Sequence, residues 1–246
     1  MPQDHVTITT PDGDCPASVF TPEGTGPWPG VLFLMDGIGI RPVLWEMGQR
    51  LADAGYFVLL PDLYYRGGPY PPKDPKEIFS NPAARDEMMK LIGSLTPERK
   101  IADTRAFLDF FAANQQVIGE TYGVTGYCMG GTWSLTVAGA FPDKFAAAAS
   151  YHGGRLATDQ PDSPHLVVKN TKAKIYVGGA VEDASFPDEQ KELLEKTLTE
   201  AGVDHKIETY EGAKHGFTMT DLPVYNRDAA ERHWTTMLEL FGETLK

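Results

Sequence analysis

The chain has 246 residues, 41% of them hydrophobic and 23% charged, which suits one large α/β domain over residues 1–246 with a substantial buried core. A formal net charge of −12 at pH 7 argues against nucleic acid and against anionic membrane surfaces as partners. No apolar run approaches the roughly 20 residues that span a bilayer. The opening Met1-Pro2-Gln3-Asp4-His5 has neither the basic nor the apolar region of a secretory signal, so a cytoplasmic protein is expected.

Residues 5–10 and 16–20 alternate apolar and polar around Pro11-Asp12-Gly13-Asp14, which predicts an N-terminal β-hairpin. Val31-Leu32-Phe33-Leu34-Met35 is a continuous apolar run, as in a strand buried on both faces. Leu44, Met47, Gly48 and Leu51 then recur at helical spacing, and residues 56–60 form a second buried strand stopped by Pro61. Residues 64–81, rich in Pro, Gly and Tyr, read as irregular, either a surface loop or part of a pocket wall. A long helix is predicted after Pro97, with Ile101, Thr104, Leu108 and Phe111 on one face. The apolar run 117–125 is a strand, and residues 145–150 and 173–177 supply two more. Ser185 with Asp188 resembles a capping box opening the helix that carries Leu193, Leu194 and Leu198. Residues 205–210 form the last strand. Asn226 caps a final helix with the stripe Ala230, Trp234, Met237, Leu238 and Phe241. Such alternation predicts an α/β fold, a mostly parallel central sheet with helices on both faces, whose chemistry lies in loops beyond the carboxyl ends of the strands.

One such loop is Gly126-Tyr127-Cys128-Met129-Gly130, which has the form of the nucleophile elbow Gly-x-Ser-x-Gly with cysteine in place of serine. At a helix N-terminus, backbone N–H groups and the dipole favour a thiolate. The plainer reading is a buried cysteine in a glycine-rich loop. Further along stand Asp183, after a strand, and His215, after the last strand, in the order nucleophile, acid, histidine of the α/β-hydrolases. Glu182 and Asp188 compete with Asp183 for the acid role, and its place between strand end and the following helix prefers Asp183. The oxyanion hole would combine the N–H of Met129 with that of Gly37, in the loop Asp36-Gly37-Ile38-Gly39. Asp36 is then either a carboxylate beside the thiol or a turn residue pointing to solvent. The two cysteines, Cys15 and Cys128, make no disulfide framework, and the histidines show no metal-ligand spacing. His152 is placed as a pocket-lining residue.

The sequence resembles the dienelactone hydrolase family of the α/β-hydrolases, the carboxymethylenebutenolidases, over essentially its whole length. Gly-Tyr-Cys-Met-Gly-Gly at 126–131, Leu51-Ala52-Asp53-Ala54-Gly55-Tyr56 leading to Pro61-Asp62-Leu63-Tyr64, Tyr151-His152-Gly153 and His215-Gly216-Phe217 carry the likeness. The resemblance implies a triad of Cys128, His215 and Asp183, and an acidic residue that holds the resting thiol. That residue is glutamate in studied members; here Asp36 stands in its place, one methylene shorter. It also implies arginines that bind a lactone carboxylate, one soon after the catalytic histidine. Met219 occupies that place, Arg227 is the first arginine downstream, and Arg85 matches another family arginine only loosely, ordinary solvation being as good an account of it. The expected activity is cofactor-independent cleavage of an ester or lactone by a cysteinyl acyl-enzyme, in a monomer or weak homodimer. The rivals are a short-chain esterase or thioesterase for uncharged acyl groups, and a non-catalytic protein that binds a small ligand on the same fold.

Overall fold

A computed structural model describes residues 3–245, so Met1 and Pro2, on which part of the reading of the N-terminus rests, lie outside the described residues. The chain divides into two compact units, one ending at Ile118 and the other beginning at Gly119.

The first unit opens with the expected hairpin. Strands β1 (Gln3–Thr10) and β2 (Gly13–Phe20) pair antiparallel with Val6 opposite Ala17 and Thr10 opposite Gly13. The Thr10 hydroxyl donates to the Gly13 carbonyl at 2.8 Å and closes the turn. Strand β3 (Trp28–Leu34), helix α1 (Pro42–Asp53) and strand β4 (Phe57–Pro61) follow. β4 runs parallel to β3 with Val58 opposite Val31, and antiparallel to β2 with Leu59 opposite Val19. Val31 to Leu34 and Phe57 to Leu60 are all buried, which is why these strands read as unbroken apolar runs.

Residues 64–81 are more ordered than their composition suggests. They hold a single 3₁₀ turn at Tyr65–Gly67 and a short helix α2 (Pro75–Ser80), whose N-terminus is capped by the Asp74 carboxylate. Asn81 then caps helix α3 (Pro82–Gly93), and Thr96 caps α4 (Pro97–Ala113). Each of these three helices starts on a proline, whose missing N–H costs nothing at that position. Helix α3 buries only Ala84, so it offered no apolar period to detect.

The second unit is built on four parallel strands side by side: β5 (Val117–Tyr127), β6 (Phe145–Tyr151), β7 (Lys174–Ala180) and β8 (His205–Tyr210). Their register places Gly126 opposite Ser150, Ser150 opposite Val177, and Val177 opposite Ile207. Parallel neighbours need crossovers, supplied by α5 (Met129–Ala140), the single-turn α6 (His165–Val168) and α7 (Asp188–Glu200). Helix α8 (Arg227–Thr244) closes the unit, capped by Asn226, whose side-chain oxygen accepts from the Ala229 N–H at 3.1 Å. Its buried stripe is Ala230, Trp234, Met237, Leu240 and Phe241; Leu238 is half-buried. Each large apolar side chain so buried contributes about 1.5–3 kcal/mol. Ser185 does not cap α7, contrary to the capping-box reading: the helix begins at Asp188 after Pro187, with no side-chain cap.

Candidate active site

Cys128 sits between β5 and α5 with φ 54° and ψ −114°, left-handed backbone that a side-chain-bearing residue adopts only under constraint. The constraint is visible. The Cys128 N–H donates to the Tyr151 carbonyl at 3.1 Å, and its own carbonyl accepts from Gly131 at 3.0 Å, opening α5. A Cβ on Gly126 would stand 2.0 Å from the Gly130 oxygen, and one on Gly131 would stand 2.6 Å from Ser150 Oγ. Only glycine allows strand and helix to meet this closely, as the elbow pattern demands. Tyr127, next to the cysteine, anchors the strand: the His233 Nδ1–H donates to the Ala230 carbonyl, so the Tyr127 hydroxyl donates to Nε2 at 2.9 Å. The thiol is half-buried and free; Cys15, in the first unit, is buried, and burial pushes its thiol far above the ordinary range.

His215 lies in the loop after β8 and Asp183 in the loop after β7. The His215 Nδ1–H donates to Asp183 Oδ2 at 2.7 Å, and Cys128 is close enough to the ring to favour its protonated form. Burial opposes a charge on this imidazole. The Asp183 hydrogen bond outweighs that, followed by the contact with Cys128 and the negative charges of both groups, and holds the pKa up at about 10. Asp183, 7% exposed, moves the other way. Its burial disfavours the carboxylate, but the bond to His215, that group's charge and two bonds from Ser185 bring it to about 2. The two shifts agree: this is a carboxylate facing a protonated or readily protonated imidazole.

His152, the other pocket histidine expected, is 1% exposed and packs edge-on to His215 with ring centroids 5.2 Å apart. Its Nε2 bonds to the Thr218 hydroxyl at 2.7 Å, and Nδ1 has no partner. Burial, then the charge His215 carries, keep it neutral, well below the usual histidine range.

The sequence-predicted residues therefore divide. Cys128, Asp183, His215 and His152, with Met129 at the first position of α5, come together in the second unit. Asp36, Gly37 and Arg85 belong to the first. Asp36 is 3% exposed, which rules out the solvent-facing turn aspartate. Its carboxylate is gripped by Arg41, 1% exposed, through Nη1–Oδ1 at 2.7 Å and Nη2–Oδ2 at 2.8 Å. It also accepts the Ile38 N–H at 3.0 Å, so it braces its own loop. The Gly37 carbonyl accepts from the Tyr64 hydroxyl at 2.7 Å, and Arg85 is an exposed residue of α3. Met219 is fully buried, and Arg227 is exposed at the start of α8. Sequence reasoning missed Arg41, Ser185 and Thr218. Arg41 could have been suspected from its position five residues after a buried-loop acid.

A profile of the dienelactone hydrolase family matches residues 15–245. The chain belongs to the dienelactone hydrolase family. Relatives include a candidate carboxymethylenebutenolidase of Synechocystis sp., 27% identical over 227 residues, covering 92% of this chain and 90% of the relative. Another, from Yersinia pestis, is 28% identical over 244 residues, covering 97% and 87%. Among solved structures, a candidate dienelactone hydrolase from Klebsiella pneumoniae superimposes with TM-score 0.84 at 24% identity over 98% of both chains. The acylaminoacyl peptidase of Pyrococcus horikoshii matches with TM-score 0.72 at 18% identity, over 99% of this chain and 42% of that one. These likenesses show the α/β-hydrolase fold. As a dienelactone hydrolase family member, the protein is a hydrolase acting on esters or lactones. No helix among the described residues is long and apolar enough to cross a membrane.

Proposed function

We propose that this hydrolase works through a cysteinyl acyl-enzyme on Cys128, within a single α/β-hydrolase domain and without a cofactor. The observation that carries the reading is a cysteine in strained left-handed backbone at the elbow, close to His215, whose other ring nitrogen donates to a buried carboxylate. In this account the Cys128 sulfur attacks the carbonyl carbon while His215 holds the thiol proton. The N–H of Met129, at the first position of α5, binds the oxyanion. Collapse of the tetrahedral intermediate expels the alkoxide, which takes the proton from His215. Water, deprotonated by His215, then attacks the thioester, releasing the acid and restoring the thiol. Asp183 keeps Nδ1 protonated and oriented throughout. Asp36, neutralised by Arg41, braces its own loop, and activation of the thiol falls to His215.

A cleft of about 610 Å³ beside His215 and Asp183 is lined by Val181, Glu182, Ser185, Lys214 and Val224 among others. Met219, buried at the position where the family resemblance places a substrate-binding arginine, favours short esters, thioesters or lactones without a free carboxylate. A panel of lactones and p-nitrophenyl esters, with and without that carboxylate, tests the reading. A preference for carboxylated lactones would overturn the assignment to uncharged substrates. Stoichiometric alkylation of Cys128 by iodoacetamide with no turnover of any ester would favour a ligand-binding protein instead.

A further inference from the structure

We infer that Ser185 is a positioning residue for the acid of this site, acting through Asp183 rather than on substrate. The inference rests on the proposed Cys128, His215 and Asp183 reading. Asp183 divides its two oxygens between different tasks. Oδ2 accepts from His215 Nδ1 at 2.7 Å, while Oδ1 accepts from the Ser185 N–H at 2.9 Å and from the Ser185 hydroxyl at 2.6 Å. A carboxylate is nearly symmetric about its last torsion and can swap or tilt its oxygens. Two donors on Oδ1 remove that freedom and aim Oδ2 at the imidazole. The same Ser185 Oγ stands 3.2 Å from His215 Nδ1, close enough to share the proton directed at Asp183.

Ser185 is itself held from the nucleophile's side. Its carbonyl accepts from the Arg155 N–H at 2.6 Å, and Arg155 adopts φ 54° to reach it. Gly154 lies flat against the serine: a Cβ there would stand 3.0 Å from Ser185 Oγ and 3.1 Å from its Cβ. The Gly154 carbonyl in turn accepts from the Thr132 hydroxyl at 2.7 Å, in the first turn of α5. A continuous set of contacts thus runs from the helix that begins at Cys128 through 154–155 to Ser185, Asp183 and His215. The hydroxyl is not spent on capping α7, which has no side-chain cap.

The test is a double-mutant cycle on p-nitrophenyl acetate hydrolysis. Ser185→Ala should lower kcat roughly 10- to 100-fold, the factor carried by a hydrogen bond to a charged group, with KM changed less than about twofold. Ser185→Thr, which keeps the hydroxyl, should retain most of kcat. In an Asp183→Asn background, Ser185→Ala should cost nothing further, because its effect passes through the carboxylate. An equal fold-loss in both backgrounds would overturn the inference, as would Ser185→Thr failing like Ser185→Ala. Should Ser185→Ala not fold, Ser185→Cys, similar in size and a weak donor, supplies the same comparison. Wild-type kcat in Asp183→Asn alone would overturn the underlying triad reading; a crippled Asp183→Asn with an additive Ser185 loss would overturn this inference alone.

Discussion

The two units of the chain handle buried charge in opposite ways. In the first, Asp36 is matched by Arg41 and Asp103 by Arg66, each carboxylate meeting a two-pronged guanidinium at 2.6–2.8 Å. Asp103 also accepts from the Tyr65 hydroxyl at 2.9 Å. Arg66 also reaches Asp12 through Nε at 2.7 Å, so in these arrangements permanent charge is set against permanent charge. In the second unit the buried carboxylate of Asp183 faces a histidine, a group able to give its proton up, with Ser185 and Cys128 beside it. Backbone strain follows the same division. Among the described residues the non-glycine positions with positive φ are Cys128, His152, Arg155 and Glu182, all in the second unit. Strain and a histidine-bound carboxylate fall together in the unit of the proposed nucleophile, whereas guanidinium pairs fix a shape in the other.

The sharpest way to break that contrast is to remove the reactive partner. Cys128→Ala should abolish ester hydrolysis and leave the fold intact, since the smaller side chain fits the elbow; activity above a trace in purified protein would be incompatible with the account. Next comes Asp183→Asn, which should lower kcat by roughly 10³- to 10⁴-fold, as loss of the orienting acid does in related triads. Steady-state kinetics with matched circular dichroism would check both. In the first unit the effect should fall on stability instead. Asp36→Ala removes the carboxylate that Arg41 grips in the interior, which costs about 3–5 kcal/mol in urea unfolding, while alkylation of Cys128 by iodoacetamide keeps its rate. A faster alkylation rate would instead place Asp36 in thiol control.

Titration sharpens the comparison further. His215, raised from 6.5 to about 10, stabilises the fold fully below pH 6.5, and that contribution is lost as pH rises through about 10. Asp183, lowered from 3.8 to about 2, contributes fully above pH 3.8 and loses its contribution as pH falls through about 2. Stability from this pair is therefore complete between pH 3.8 and 6.5 and is lost as pH falls through about 2 or rises through about 10. Cys128→Ala removes one of the causes holding His215 up, so its imidazole, followed by NMR, should titrate at lower pH than in the wild type. An unchanged midpoint would uncouple the two groups. The smallest effect is expected for Glu182→Gln: Glu182 is exposed, and kcat should stay within about twofold. A large loss there would move the acid one residue back.

Much of this was legible in the sequence, for identifiable reasons. The buried strands β3 and β4 announced themselves as unbroken apolar runs, and the elbow glycines are forced by approach distances that no Cβ survives. The positions of Cys128, Asp183 and His215 at strand ends were readable because chain order and strand-end position are properties of sequence. What escaped were pairings set by three-dimensional approach. Arg41 carries no mark of its hold on Asp36, and α3 buries too little to show a period. Ser185 was misread because Ser-x-x-Asp resembles a helix cap, while the same hydroxyl bonds more closely to the acid two residues before it.

The central claim is that Cys128 becomes acylated, and the most direct measurement is rapid-quench mass spectrometry of the enzyme mixed with p-nitrophenyl acetate. The account predicts a burst of p-nitrophenol stoichiometric with enzyme and an acetyl group on the peptide carrying Cys128, both absent from Cys128→Ala. An acetyl group found on another residue, or the same burst in Cys128→Ala, would contradict it.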